Sequence, residues 1–153
     1  MVHITKQIAD SVVSKELDSP FEDKILEEWV EQNKISGTSV STVGLGTYPA
    51  KTKLNDRVIL NKEVKLDKYR IDCIIYWYQS KWKLVEVKQE SELNPSVLGD
   101  ILVKSELFEQ IYTVNPNLVE KIILSDNIPR KYQGLVDQIN TKYGTEIQLA
   151  ELE

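Results

Sequence analysis

Two stretches in the middle of the chain carry apolar residues on both faces. They are Tyr69-Arg70-Ile71-Asp72-Cys73-Ile74-Ile75-Tyr76-Trp77 and Lys81-Trp82-Lys83-Leu84-Val85-Glu86-Val87-Lys88. Short runs with apolar residues on both faces mark central strands covered on each side. The polar Gln79-Ser80 between them predicts an antiparallel hairpin. Leu118 to Ser125 reads as a third strong strand, and Glu146 to Leu149 as a short final one. No residue from Ile35 to Ala50 is charged, and a strand is expected at about 38–45, closing on Gly44, Gly46 and Pro49. Lys51 to Lys68 reads as a basic loop or ragged hairpin around Arg57-Val58-Ile59-Leu60.

Helical spacing appears in three places. Ser19 is the expected N-cap and Pro20 the first position of a helix whose first turn holds Glu22 and Asp23. Its apolar stripe is Phe21, Ile25, Leu26 and Trp29. Asn94-Pro95-Ser96 is a second start signal, for a helix from Val97 to about Val114 with Leu98, Ile101, Leu102, Leu107, Phe108 and Ile111 as core candidates. A last helix runs from Pro129 to about Tyr143 and stops at Gly144. Strands interleaved with helices in this order predict an α/β fold, a central mixed sheet of four to five strands with helices on both faces.

At 153 residues the chain is expected to form one domain, with a core of about 19–150 and an N-terminal extension of 1–18. A composition of 41% apolar and 28% charged residues excludes a disordered tail or a disulfide-stapled miniprotein. One cysteine and one histidine exclude a Cys/His zinc site. The absence of a long apolar run and of an apolar leader predicts a cytoplasmic protein with no membrane partner. The net charge of −5 is uneven: residues 51–88 hold 10 basic and 5 acidic side chains, between acidic flanks. Such a basic middle either attracts a polyanion or is simply a solvated lysine-rich loop.

The chemistry lies in the strands. A charge in a central strand is costly unless it is paired or binds an ion, and these two strands hold Asp72, Glu86 and Lys88. Glu86 and Lys88, two apart, share a strand face, and Asp72 can meet them from the partner strand. A two-residue turn pairing Tyr78 with Lys81 would turn Asp72 away from Glu86, so a three-residue connection or a bulge is expected. Two converging carboxylates suit a hard divalent cation, Mg²⁺ or Mn²⁺; the alternative is an ion pair within the sheet. Cys73 and the aromatic residues Tyr76, Trp77, Tyr78 and Trp82 read first as core and hairpin packing. Gly44-Leu45-Gly46 lacks the lysine and helix of a phosphate loop.

Asp72 followed after thirteen residues by Glu86-Val87-Lys88, all within apolar strands, resembles the core of the PD-(D/E)XK nuclease superfamily, the restriction-endonuclease-like fold. The likeness spans about residues 19–150, including the helix after Ser96 and the strand through Ile123-Leu124-Ser125. Residue 71 is isoleucine where the motif's name has proline. The resemblance implies a metal-dependent nuclease acting on DNA, with Asp72, Glu86 and Lys88 catalytic. Glu22, Asp72, Glu86 and the Val87 carbonyl would hold Mg²⁺ or Mn²⁺. Lys51, Lys53, Arg57, Lys65, Lys68, Arg70, Lys81, Lys83, Gln89 and Lys104 would meet nucleic acid. The spacing of Asp100 and Lys104 favours a simple pair on one helix face. By analogy, a cut in both strands calls for a homodimer. The other reading is a non-catalytic nucleic-acid-binding or protein-assembly module on the same fold.

Overall fold

The computed structural model describes residues 20–32, 58–77 and 81–153, with the backbone alone for 58–63, 65 and 77. Its elements are α1 (Pro20–Gln32), β1 (Val58–Leu66), β2 (Tyr69–Trp77), β3 (Trp82–Lys88), α2 (Pro95–Tyr112), β4 (Val119–Ser125), α3 (Arg130–Tyr143) and β5 (Ile147–Glu151). Among the described residues the strands form one five-stranded sheet in the order β1-β2-β3-β4-β5. The first three strands are antiparallel, while β3, β4 and β5 run parallel. Parallel neighbours need a crossover, and α2 and α3 supply the two. The fold is α/β, as the sequence implied.

Local chemistry places the boundaries. Asn94 caps α2 by accepting the Ser96 amide at 2.9 Å, with Pro95 at the first helical position. Gly144 ends α3 in the left-handed conformation at φ 68°, where a glycine has no Cβ penalty. Asp67, at φ 58°, turns the chain between the paired residues Leu66 and Tyr69.

Helices cover both faces of the sheet. On one face, Ile25, Leu26, Trp29 and Val30 of α1 pack with Cys73, Ile75, Val85, Val87, Ile122 and Leu124. On the other, Phe108 and Tyr112 of α2 pack with Ile74, Tyr76, Trp82 and Leu84. Val97, Leu98 and Ile101 join Tyr132 and Val136 of α3 over Ile123. The Tyr76 and Trp82 rings lie 4.2 Å apart and Trp82 meets Phe108 edge-on at 5.3 Å, so these aromatic residues are core.

Three expectations change. Of the segment expected as a basic loop or ragged hairpin, Val58–Leu66 is strand β1, in a regular hairpin with β2; at the edge of the sheet among the described residues, it needs no continuous apolar run. Phe21 is 69% exposed, and Val30 completes the α1 stripe in its place. Ile111 is also exposed, and the neighbouring Tyr112 turns inward. The expected Ser19 cap and the strand at 38–45 lie outside the described residues, as do Lys51, Lys53, Arg57 and the side chain of Lys65.

Candidate active site

β2 and β3 pair from Tyr76↔Trp82 to Cys73↔Val85, and the ladder ends there. Beyond that point β2 continues beside β1, and β3 beside β4. One step further along the same register sets Asp72 opposite Glu86. This register is one residue off the Tyr78–Lys81 pairing that would have turned Asp72 away.

Where the strands part, Asp72 Oδ2 accepts the Val87 amide at 2.8 Å. In a strand, the N–H and C=O of one residue point to the same neighbour. The Val87 carbonyl therefore faces the same gap as Asp72. The gap lies at the carboxyl end of β3, beside the carboxyl end of β4, the usual place for ligands in α/β sheets.

Glu86 is 2% exposed, in the middle of the sheet. Burial, and then the charge of Asp72, push its carboxyl up to about 8, against the pull of Lys104 and Lys88. Lys104 of α2 places Nζ 3.0 Å from Glu86 Oε1. Glu86 Oε2 accepts no hydrogen bond from the described residues. Lys88 is half-buried and makes no ion pair within 4.0 Å among the described residues. Its own burial lowers its pKa, but Glu86, Asp72, Glu22 and Glu92 outweigh that and hold it above the ordinary lysine range. The site is thus a small acidic gap with two lysines turned towards it.

Among the described residues, no three His, Cys, Asp or Glu side chains gather into a cluster able to hold a metal ion. Glu22 is therefore not gathered with Asp72 and Glu86 in such a cluster; from α1 it contributes its charge at Lys88.

The structure sorts the expected nucleic-acid residues. Lys68 and Arg70 stand exposed at the end of β2 that carries Asp72. Gln89 follows Lys88, and its amide donates to Glu92 Oε1 at 3.3 Å to open the 3₁₀ turn Glu90–Glu92. Lys81 and Lys83 lie at the far end of β3, bridged to Glu120 at 3.5 and 2.6 Å. Burial raises Glu120, but the two lysines more than offset it and hold it below the usual carboxylate range. Those cations are neutralised away from the gap.

Lys104 is a correction of a different kind. Its spacing suggested a pair with Asp100, but it reaches inward to Glu86, because a buried carboxylate gains more from a cation than an exposed one does. Neither this contact nor the influence of Glu92 was visible in the sequence. The one available signal was an unanswered carboxylate in β3, which had to find its cation from a neighbouring element.

No protein-family model and no curated protein sequence matches this chain. Among solved structures, it is similar to a repair endonuclease from Pyrococcus abyssi, with a TM-score of 0.52 and 11% sequence identity. The match covers 92% of this chain and 50% of the endonuclease chain. This chain therefore spans about half the length of that protein, and at such identity the likeness shows a shared fold alone. Among the described residues, no helix is long and apolar enough to cross a membrane.

Proposed function

We infer that this protein is a nuclease that hydrolyses phosphodiester bonds in DNA with the help of Mg²⁺ or Mn²⁺. The observation that carries the reading is the meeting of Asp72 and Glu86 where β2 and β3 part, with Lys88 on the same strand beyond Glu86. The fold shared with a repair endonuclease supports it.

The donor set fits a hard cation. Two carboxylates, one of them buried with an oxygen that accepts no hydrogen bond from the described residues, share the gap with the Val87 carbonyl. All are oxygen donors, and the charge of Asp72 raises the proton affinity of Glu86, a cost that a divalent cation would relieve. Asp72, Glu86 and the Val87 carbonyl would hold the ion, with Glu22 adding charge from α1. The metal would supply a lowered water pKa and charge stabilisation at the phosphate.

The residues of the chain do the rest. Asp72 brings negative charge to the gap, and Glu86 adds its own when an entering cation displaces its proton, so that a cation is held there in preference to water alone. Lys88 directs its ammonium to the place where charge grows in the transition state, and that differential interaction accelerates hydrolysis. Lys68 and Arg70 would hold the backbone of the nucleic acid beside the gap. A second copy of the chain would bring the second site that a double-strand cut needs.

The Lys104–Glu86 ion pair favours the other reading, a non-catalytic module, because it partly satisfies the buried carboxylate. Incubating supercoiled plasmid with purified protein and Mg²⁺ or Mn²⁺ separates the two. The expected result is nicking or linearisation that chelator abolishes and Glu86→Gln loses. Intact plasmid, linear and branched DNA with either metal would remove the nuclease reading.

A further inference from the structure

We propose that Lys104 is a built-in counter-ion, which takes the place of the divalent metal at the Asp72–Glu86 pair when no metal is bound and leaves when the metal enters. This rests on the metal-dependent reading above. Metal loading would then be an exchange of one cation for another.

The geometry points this way from three sides. Glu86 is fully enclosed and receives Lys104 Nζ at 3.0 Å on one oxygen, while its other oxygen accepts no hydrogen bond from the described residues. The contact therefore satisfies half of the carboxylate. β3 carries its own lysine: Lys88 lies on the same strand face and already faces these acids, yet forms no ion pair among the described residues. Lys104 is a second cation, delivered from another element. Finally, Asp100 sits one helical turn back, exposed and in no ion pair among the described residues. On a helix, positions i and i+4 are neighbours, so the ammonium has an acid to move to when it leaves Glu86.

A divalent ion bound to the Glu86 carboxylate would lie within a few ångströms of this ammonium, where like charges repel strongly away from bulk water. Lysine suits such a departure. It is a compact charge on a flexible four-carbon stem, without the fixed fork that commits an arginine to one carboxylate.

The test is calorimetric titration with Mn²⁺ alone, with no DNA present, on the parent protein and on Lys104→Met. Removing the competing cation should tighten Mn²⁺ binding by about tenfold or more, the scale on which one adjacent charge moves a carboxylate's affinity for a proton. Binding by Lys104→Met that equals or falls below the parent's overturns the exchange and leaves the nuclease reading standing. Absence of binding in both proteins overturns the two together. Should Lys104→Met fail to fold, lysine ammonium NMR on the parent decides. A Lys104 signal protected without Mg²⁺ should broaden or move at saturating Mg²⁺, and an unchanged signal rejects the exchange.

Discussion

Asp72 accepts the Val87 amide through Oδ2 at 2.8 Å, one step beyond the last β2–β3 pair. One carboxylate thus closes the open edge of β3 and supplies an acid to the gap. The two roles separate by substitution. Asp72→Asn keeps an acceptor oxygen for Val87 but loses the charge, so it should melt close to the parent and bind no Mn²⁺. Asp72→Ala leaves the amide without its acceptor and should cost about 1–3 kcal/mol in thermal unfolding. Equal melting of the two variants would mean that the Val87 hydrogen bond contributes nothing to stability.

Glu86 gives the stability of the metal-free protein a sign in pH. Its carboxyl lies at about 8 in the fold, above the ordinary value of 4.5. Below 4.5 it is protonated in both folded and unfolded chains and contributes no difference. Between 4.5 and 8 the folded chain holds a proton that the unfolded chain has released, so stability falls as pH rises, and above 8 the loss is complete. In chelator, Glu86→Gln should therefore gain on the parent as pH is raised from 5 to 8 and hold that lead at pH 9. A constant difference in melting temperature across this range would show that Glu86 is not raised.

Lys88 should matter for rate and little for folding, because the cation in contact with Glu86 is Lys104. Lys88→Ala should cut cleavage roughly a hundredfold or more, the scale for losing one preorganised electrostatic group. Mn²⁺ binding should persist, and the melting temperature should stay close to the parent's. A melted variant would instead place Lys88 in the structural network.

The cations near the gap and those far from it should behave differently towards DNA. Replacing Lys68 or Arg70 by alanine should weaken binding and lower the salt slope by about one for each phosphate left without its cation. Replacing Lys81 or Lys83 should leave both almost unchanged, since Glu120 already neutralises them. A filter-binding series across salt concentrations reads both outcomes. Equal weakening from the two pairs would extend the DNA path to the far end of β3.

The sequence by itself determined whatever local chemistry encodes. The limits of β2, the Asn94-Pro95 opening of α2 and the Gly144 stop of α3 follow from apolar runs, caps and backbone freedom within a few residues. Asp72, Glu86 and Lys88 stood out because charges are costly in strands apolar on both faces. Tertiary structure decided the partners. Lys83 meets Glu120 because parallel pairing of β3 with β4 sets them side by side, 37 residues apart in sequence. Lys104 turns from Asp100 to Glu86 because packing α2 on the sheet buries one acid and leaves the other exposed. The helical period allowed either Ile111 or Tyr112 to face inward, and contact with the Phe108 ring, at 5.3 Å, selected Tyr112. β1 was legible only as a loop or ragged hairpin around Val58-Ile59-Leu60, because a strand at the edge of the described sheet is stabilised by its neighbour's hydrogen bonds, which its own mixed residues announce weakly.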